Sequence, residues 1–216
     1  MLVLKKIIAA VLVLASLAAS VFALSLCRSV TRSAEHSTPD AEAEATAAAE
    51  GFFACLRARD FAGAYGYLAN YSSLGLETPP EDEISLLYWN AAQDAWAFSV
   101  DAGYERNGAL LEKRAACRRL DLSAVSDAVG AEVRAILARR VDEARLRSEI
   151  YNADGSYRED VAYAALLEAT QTVLRDTAPY QYDQRVTLTL SRAEDGWRIE
   201  ADAALISALT SGAVRR

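Results

Sequence analysis

A change of hydrophobic period near the C-terminus constrains the fold more than any other feature of this chain. Val186, Leu188 and Leu190 alternate with Thr187, Thr189 and Ser191. After a turn at Glu194-Asp195-Gly196, Trp197, Ile199 and Ala201 alternate with Arg198, Glu200 and Asp202. A period of two with one apolar face describes an antiparallel hairpin, buried on one side and wet on the other. Upstream the period is helical. Ile84, Leu87, Tyr88, Ala91, Ala95 and Phe98 recur at spacings of three and four. So do Val129, Val133, Ile136, Leu137 and Val141, and then Tyr163, Leu166, Leu167, Thr170, Val173 and Leu174. Helices followed by a hairpin make an α+β domain.

Punctuation places the elements. Thr38-Pro39 starts an alanine-rich helix to about Arg59, with Ala45, Ala48, Phe52, Cys55 and Leu56 on one face. Asp60 caps a short helix over 61–70, and 71–80 is a loop. Thr78-Pro79-Pro80-Glu81 and Ser156-Tyr157-Arg158-Glu159 both read as capping boxes opening helices. Asn107-Gly108 is a turn, and residues 109–122 read as a long strand. Lys113, Arg119 and Asp121 fall among Leu111, Ala115 and Cys117 on one of its faces; Glu112, Arg114 and Arg118 fall among Leu110, Leu120 and Leu122 on the other. So charged a strand is expected to be solvated along half its length. The expected domain, 41–216, is helix-rich, with a small curved antiparallel sheet built from this strand and the terminal hairpin.

Lys5-Lys6 precedes an apolar run from Ile7 to Cys27, interrupted only by Ser16, Ser20 and Ser25. As a helix it spans roughly 30 Å, the thickness of a bilayer's hydrocarbon core. Three readings are open: an uncleaved signal anchor over 1–27, a signal peptide cleaved after Val21-Phe22-Ala23, or a lipoprotein signal with lipid attached at Cys27. Each exports the domain, and the anchor is the reading adopted, with residues 28–40 as a flexible polar tether. The expected location is therefore the cell membrane, single-pass, with the domain on the extracytoplasmic side. The net charge is −7, and residues 1–40 carry four cations against Glu35 and Asp40, so the exported part is the more acidic. An acidic domain without a basic, aromatic-laced patch is no nucleic-acid binder. A domain of this size needs no staple, so Cys55 and Cys117 are expected as free thiols.

The chemistry-bearing residues are sparse. His36, the single histidine, lies in the tether, which removes histidine-based metal sites and Ser-His or Cys-His nucleophiles from the domain. No Gly-rich phosphate loop or Gly-x-Ser-x-Gly elbow is present. Asp82-Glu83, Asp142-Glu143 and Glu159-Asp160 fall in first turns or on polar helix faces, where the helix dipole or solvent accounts for them. Asp154 opens a calcium-loop-like Asn152-Ala153-Asp154-Gly155, but Tyr163 stands where the bidentate glutamate is required. No catalytic, cofactor-binding or metal-binding residue is assigned. Tyr65, Tyr67, Tyr71, Tyr88 and Tyr104 form the most suggestive set.

The passage Phe52-Phe53-Ala54-Cys55-Leu56-Arg57-Ala58-Arg59-Asp60-Phe61-Ala62-Gly63-Ala64-Tyr65, with the closing Leu188-Thr189-Leu190 and Trp197-Arg198-Ile199, resembles the nuclear transport factor 2-like superfamily, and within it the membrane-anchored or lipoprotein members of Gram-positive bacteria. The resemblance implies a cone in which a curved antiparallel sheet wraps helices around a pocket; ketosteroid isomerase-like members use a tyrosine and a buried acid there. The helical stretch between the long strand and the hairpin departs from that plan. The expected function is a membrane-anchored extracytoplasmic binding or interaction module without catalysis or cofactor, its partner a protein or small molecule. The alternatives are a small-molecule enzyme with a Tyr/Asp pocket in the cone, and a structural dimerisation domain.

Overall fold

The computed structural model describes residues 39–210. The apolar run, Cys27, His36 and residues 28–38 of the tether lie outside them, and the last two tether residues, Pro39 and Asp40, open the first helix. Helix α1 (Pro39–Arg57) buries Ala45, Ala49, Phe52, Phe53 and Leu56. It passes so close to the following segment that a Cβ at Gly51 would stand 2.5 Å from the Tyr67 hydroxyl. Asp60 caps α2 (Phe61–Tyr65) by accepting from the Gly63 amide, as expected from its place in the sequence, though the helix is only half as long.

Helix α3 (Glu83–Asp94) starts later than the Thr78 box predicts. Pro80 disfavours helical geometry at Pro79, so the start slides to the next competent cap, Asp82, which accepts from Ser85 N at 2.8 Å. The helix also stops earlier than expected. Phe98, read as helical, lies on strand β1 (Ala97–Val100) and stacks on Phe53 with ring centroids 4.5 Å apart. The segment Trp96–Val100 alternates large and small side chains with period two and is rich in strand formers.

Strands β2 (Glu105–Asn107) and β3 (Leu110–Leu120) follow, joined through Gly108 at φ +65°. Asp121 then caps α4 (Leu122–Glu143), a 3₁₀ turn spans Arg147–Glu149, and α5 (Glu159–Leu174) runs back. The Ser156 capping box does not form: Arg158 is the cap residue, and the Ser156 hydroxyl donates to Asp154 at 2.6 Å within a local turn. Strands β4 (Gln181–Ala193) and β5 (Gly196–Glu200) form the terminal hairpin, and Asp202 caps α6 (Ala203–Leu209).

The molecule is α+β with a curved antiparallel sheet. The strand order is β1-β3-β4-β5, and β2 also pairs with β3, so the sheet has five strands rather than three. The register puts Leu111, Lys113, Ala115, Cys117 and Arg119 opposite Leu190, Leu188, Val186, Gln184 and Tyr182. Directly opposed residues share a face, and on that face the core of α1, α6 and the sheet is built, with Leu188, Leu190, Ile199 and Leu205 buried. No half of β3 is solvated on this side. Lys113 and Arg119 are each only 2% exposed, while Arg114 and Arg118 on the other face are open to water.

A second core joins α3, α4 and α5 through Ala91, Val125, Val129, Ile136, Leu137, Ala165 and Ala169, closed by Leu120. The buried face of α5 is rotated from the expected one. Ala162, Ala165, Ala169 and Thr170 face inward, and Tyr163 is exposed. Small residues let α4 and α5 approach closely, which turns the tyrosine outward.

Candidate functional site

The side of the sheet that α1 and α6 cover is filled with side chains, and two concavities among the described residues are surface clefts. The larger, of about 730 Å³, lies where α4 and α5 are joined, lined by Ser148, Tyr151, Asn152, Arg158, Asp160 and Tyr163 among others. A smaller one of about 460 Å³ runs between α1 and β1, past Gly51, Phe53 and Phe98.

The larger cleft is a built structure. Ile150, 6% exposed, pins the connection to the core. Asn152 N donates to Ser156 O at 2.8 Å and Arg158 N to Ile150 O at 2.9 Å, so the connection folds back as a small paired loop. The Tyr151 and Tyr157 rings pack at 4.9 Å, and the Arg147 guanidinium lies 5.5 Å from the centre of Tyr151. Arg158 grips Asp160 with Nε and Nη2 at 3.1 and 3.0 Å, which holds the Asp160 carboxyl below its usual range. The Tyr163 hydroxyl donates to Glu83 at 3.3 Å, tying α5 to the start of α3. Of the exposed large apolar side chains, Tyr163 lines the cleft, while Tyr157 stacks on the lining residue Tyr151.

The tyrosine set is not gathered into one site. Tyr65 is buried in the sheet core; its hydroxyl donates to Glu77 at 2.5 Å and accepts from Leu76 N at 3.2 Å. Burial, reinforced by the Glu77 bond, pushes Tyr65 up to about 12. Burial would raise Glu77 as well, but bonds from Ser73 and Tyr65 outweigh it and hold its pKa below the ordinary value. A carboxylate that accepts the tyrosine's hydrogen bond is the opposite of a protonated oxyanion-hole acid that donates one. The pair clips the loop before α3 in place. Tyr88 belongs to the second core, where burial pushes it up to about 12, and Tyr104 is exposed beside β2.

The acidic pairs have helix-surface roles: Asp82 caps α3, Glu83 receives Tyr163, Asp160 receives Arg158, and Asp142-Glu143 ends α4 in solvent. Asp154 accepts from Ser156 N and Oγ, which lowers its pKa. Cys55 and Cys117 are free thiols; Cys117 is buried, which pushes it up to about 11, and Cys55 is only partly covered. Among the described residues no three His, Cys, Asp or Glu side chains gather as a metal site, and no helix is long and apolar enough to cross a membrane.

Sequence reasoning missed two features. One is the outward turn of Tyr163 with Tyr157; the other is the burial of Lys113 and Arg119. For the cations the sequence shows only that they share a face with Leu111, Ala115 and Cys117; both rows of β3 mix apolar and charged residues. Compared with protein-family models, with curated proteins and with solved structures, the chain gives no match.

Proposed function

We propose that this chain is a membrane-anchored extracytoplasmic interaction module of the nuclear transport factor 2-like type, without catalysis, that engages a protein partner through the end of the α4–α5 hairpin. The observation that carries the reading is the division of the molecule. The sheet face on which a cone would open a pocket is packed with α1 and α6, whereas the inserted hairpin ends in a cleft lined by the exposed Tyr163, with the Tyr151–Tyr157 pair beside it. A domain that spends its concave face on its own core has its recognition surface elsewhere. Ordered tyrosines lose little conformational entropy on binding, which makes them efficient contact residues.

The test is site-specific photocrosslinking of the full chain in its native membrane, with the reactive residue placed at Tyr157, at Tyr163, or at Thr187 on the open sheet face. Discrete protein adducts from the first two positions and none from Thr187 are expected. Equal adducts from all three, or none from the hairpin, refute the assignment. Carbonate extraction with mass spectrometry decides the anchor in the same membranes. A soluble product lacking Met1–Ala23 replaces it with a cleaved signal, and palmitate labelling lost in Cys27→Ala replaces it with a lipoprotein.

A further inference from the structure

Arg119 is 2% exposed, yet only one edge of its guanidinium is used. Nη1 donates to Gln184 Oε1, while Nε and Nη2, both buried, make no hydrogen bond within the described residues. Those two nitrogens form the parallel fork that matches a carboxylate. Elsewhere in this molecule the same edge is occupied by one. Arg118 holds Asp183 through Nε at 2.9 Å and Nη2 at 3.4 Å, and Arg158 holds Asp160 in the same way. Both of those pairs are on the surface; the unused fork is in the interior. A buried charged donor set is costly unless its hydrogen-bonding capacity is met.

One neighbour of Arg119, Trp96, is also short of a partner. Continuing the β1–β3 register by one residue places Trp96 opposite Arg119, and the β3–β4 register places Tyr182 on its other side. Trp96 packs towards the sheet core, 6.0 Å from Phe98, and its indole N–H is buried without an acceptor. The guanidinium carbon lies 5.5 Å from the centre of the Tyr182 ring, which is itself 37% exposed and so forms the boundary with solvent. The nearest acid along the chain, Asp121, holds the start of α4 through Ala124 N.

We propose that Arg119, with Trp96 and Tyr182 on either side, binds one carboxylate carried on a small aromatic or apolar molecule. The fork selects a planar anion, the flanking rings accept an apolar body, and the domain's negative charge disfavours a doubly charged phosphate. The site lies on the sheet, away from the α4–α5 hairpin, and stands or falls independently of the protein-contact surface.

The test uses the full chain in detergent, with arginine side-chain nitrogens labelled, titrated with benzoate and separately with inorganic phosphate. The Nε–H signal of Arg119, identified by its loss in Arg119→Lys, is expected to move saturably with benzoate and not with phosphate. The melting temperature is expected to rise with benzoate in wild type and in Arg118→Lys, to stay flat in Arg119→Met, and to respond more weakly in Trp96→Phe. A wild-type signal that stays put up to benzoate saturation overturns the proposal. So does an equal response to phosphate, or an equal thermal response in Arg119→Met. If Arg119→Met does not fold, the wild-type titration and Trp96→Phe decide alone.

Discussion

Replacing Lys113 with methionine is expected to stabilise the domain. Lys113 is the single lysine among residues 39–210, and it is buried on the core face of β3 between Leu111 and Ala115. Its ammonium reaches one acceptor, Ala102 O, at a long 3.4 Å. Burial lowers its pKa, and the fields of Glu50, Glu42 and Asp101 do not make up the difference. Exchanging a buried, poorly compensated charge for an apolar side chain of similar volume stabilises by about 1–4 kcal/mol. Loosening the acidic neighbours returns a few tenths of that, as expected of charges at the surface. The net gain is then about 1–3 kcal/mol, or ~3–10 °C in Tm for a domain of this size. The pH dependence carries the mechanism. Because the folded pKa lies below the unfolded value of 10.5, the unfolded chain binds more protons between the two, and wild-type stability rises with pH across that window. The advantage of Lys113→Met is therefore largest at neutral pH and shrinks as pH approaches 10.5. Urea unfolding at pH 7 and pH 10 measures both. A variant destabilised by more than 1 kcal/mol, or an advantage that grows with pH, refutes the reasoning and makes Lys113 a well-compensated core residue.

Two further outcomes are expected. Trp197 is buried in the sheet core, so Trp197→Ala should cost about 3–5 kcal/mol and lower the melting temperature by ~6–15 °C; a variant melting within a degree or two of wild type refutes the assignment of the hairpin's buried face. Tyr65 has its folded pKa raised from 10.0 to about 12, so its contribution is complete below pH 10 and lost as pH rises through 12. In Tyr65→Phe the loss of stability above pH 10 should shrink, with about 1–2 kcal/mol lost at neutral pH from the bonds to Glu77 and Leu76, and an unchanged alkaline limb counts against the burial argument.

What could be read from the sequence and what could not divide along one physical line. The hairpin, the long strand and the major helices were legible because each buries a stripe whose period is set by local geometry. Strand β1 was hidden because Phe98 stands three residues after Ala95, a spacing that continues a helical stripe as readily as it opens a strand. The capping boxes failed where a neighbour competed for the same groups: Pro80 restricts Pro79, and Asp154 takes the Ser156 hydroxyl. Tyr163 was assigned to the core because it fits the apolar stripe of α5, but two helices that pack through alanines leave no room for a ring between them. The candidate sites depend on still longer-range choices. Parity alone places Lys113 and Arg119 on a face with Leu111, Ala115 and Cys117, and parity cannot say which face of β3 will be dry. That is settled by β4, whose Val186, Leu188 and Leu190 pair opposite the odd-numbered row. A one-residue slip of that register would bury Arg114 and Arg118 in their place and free both interior cations. The buried arginine is thus a consequence of how the hairpin docks: the carboxylate fork exists only after the long-range pairing that gives the domain its core.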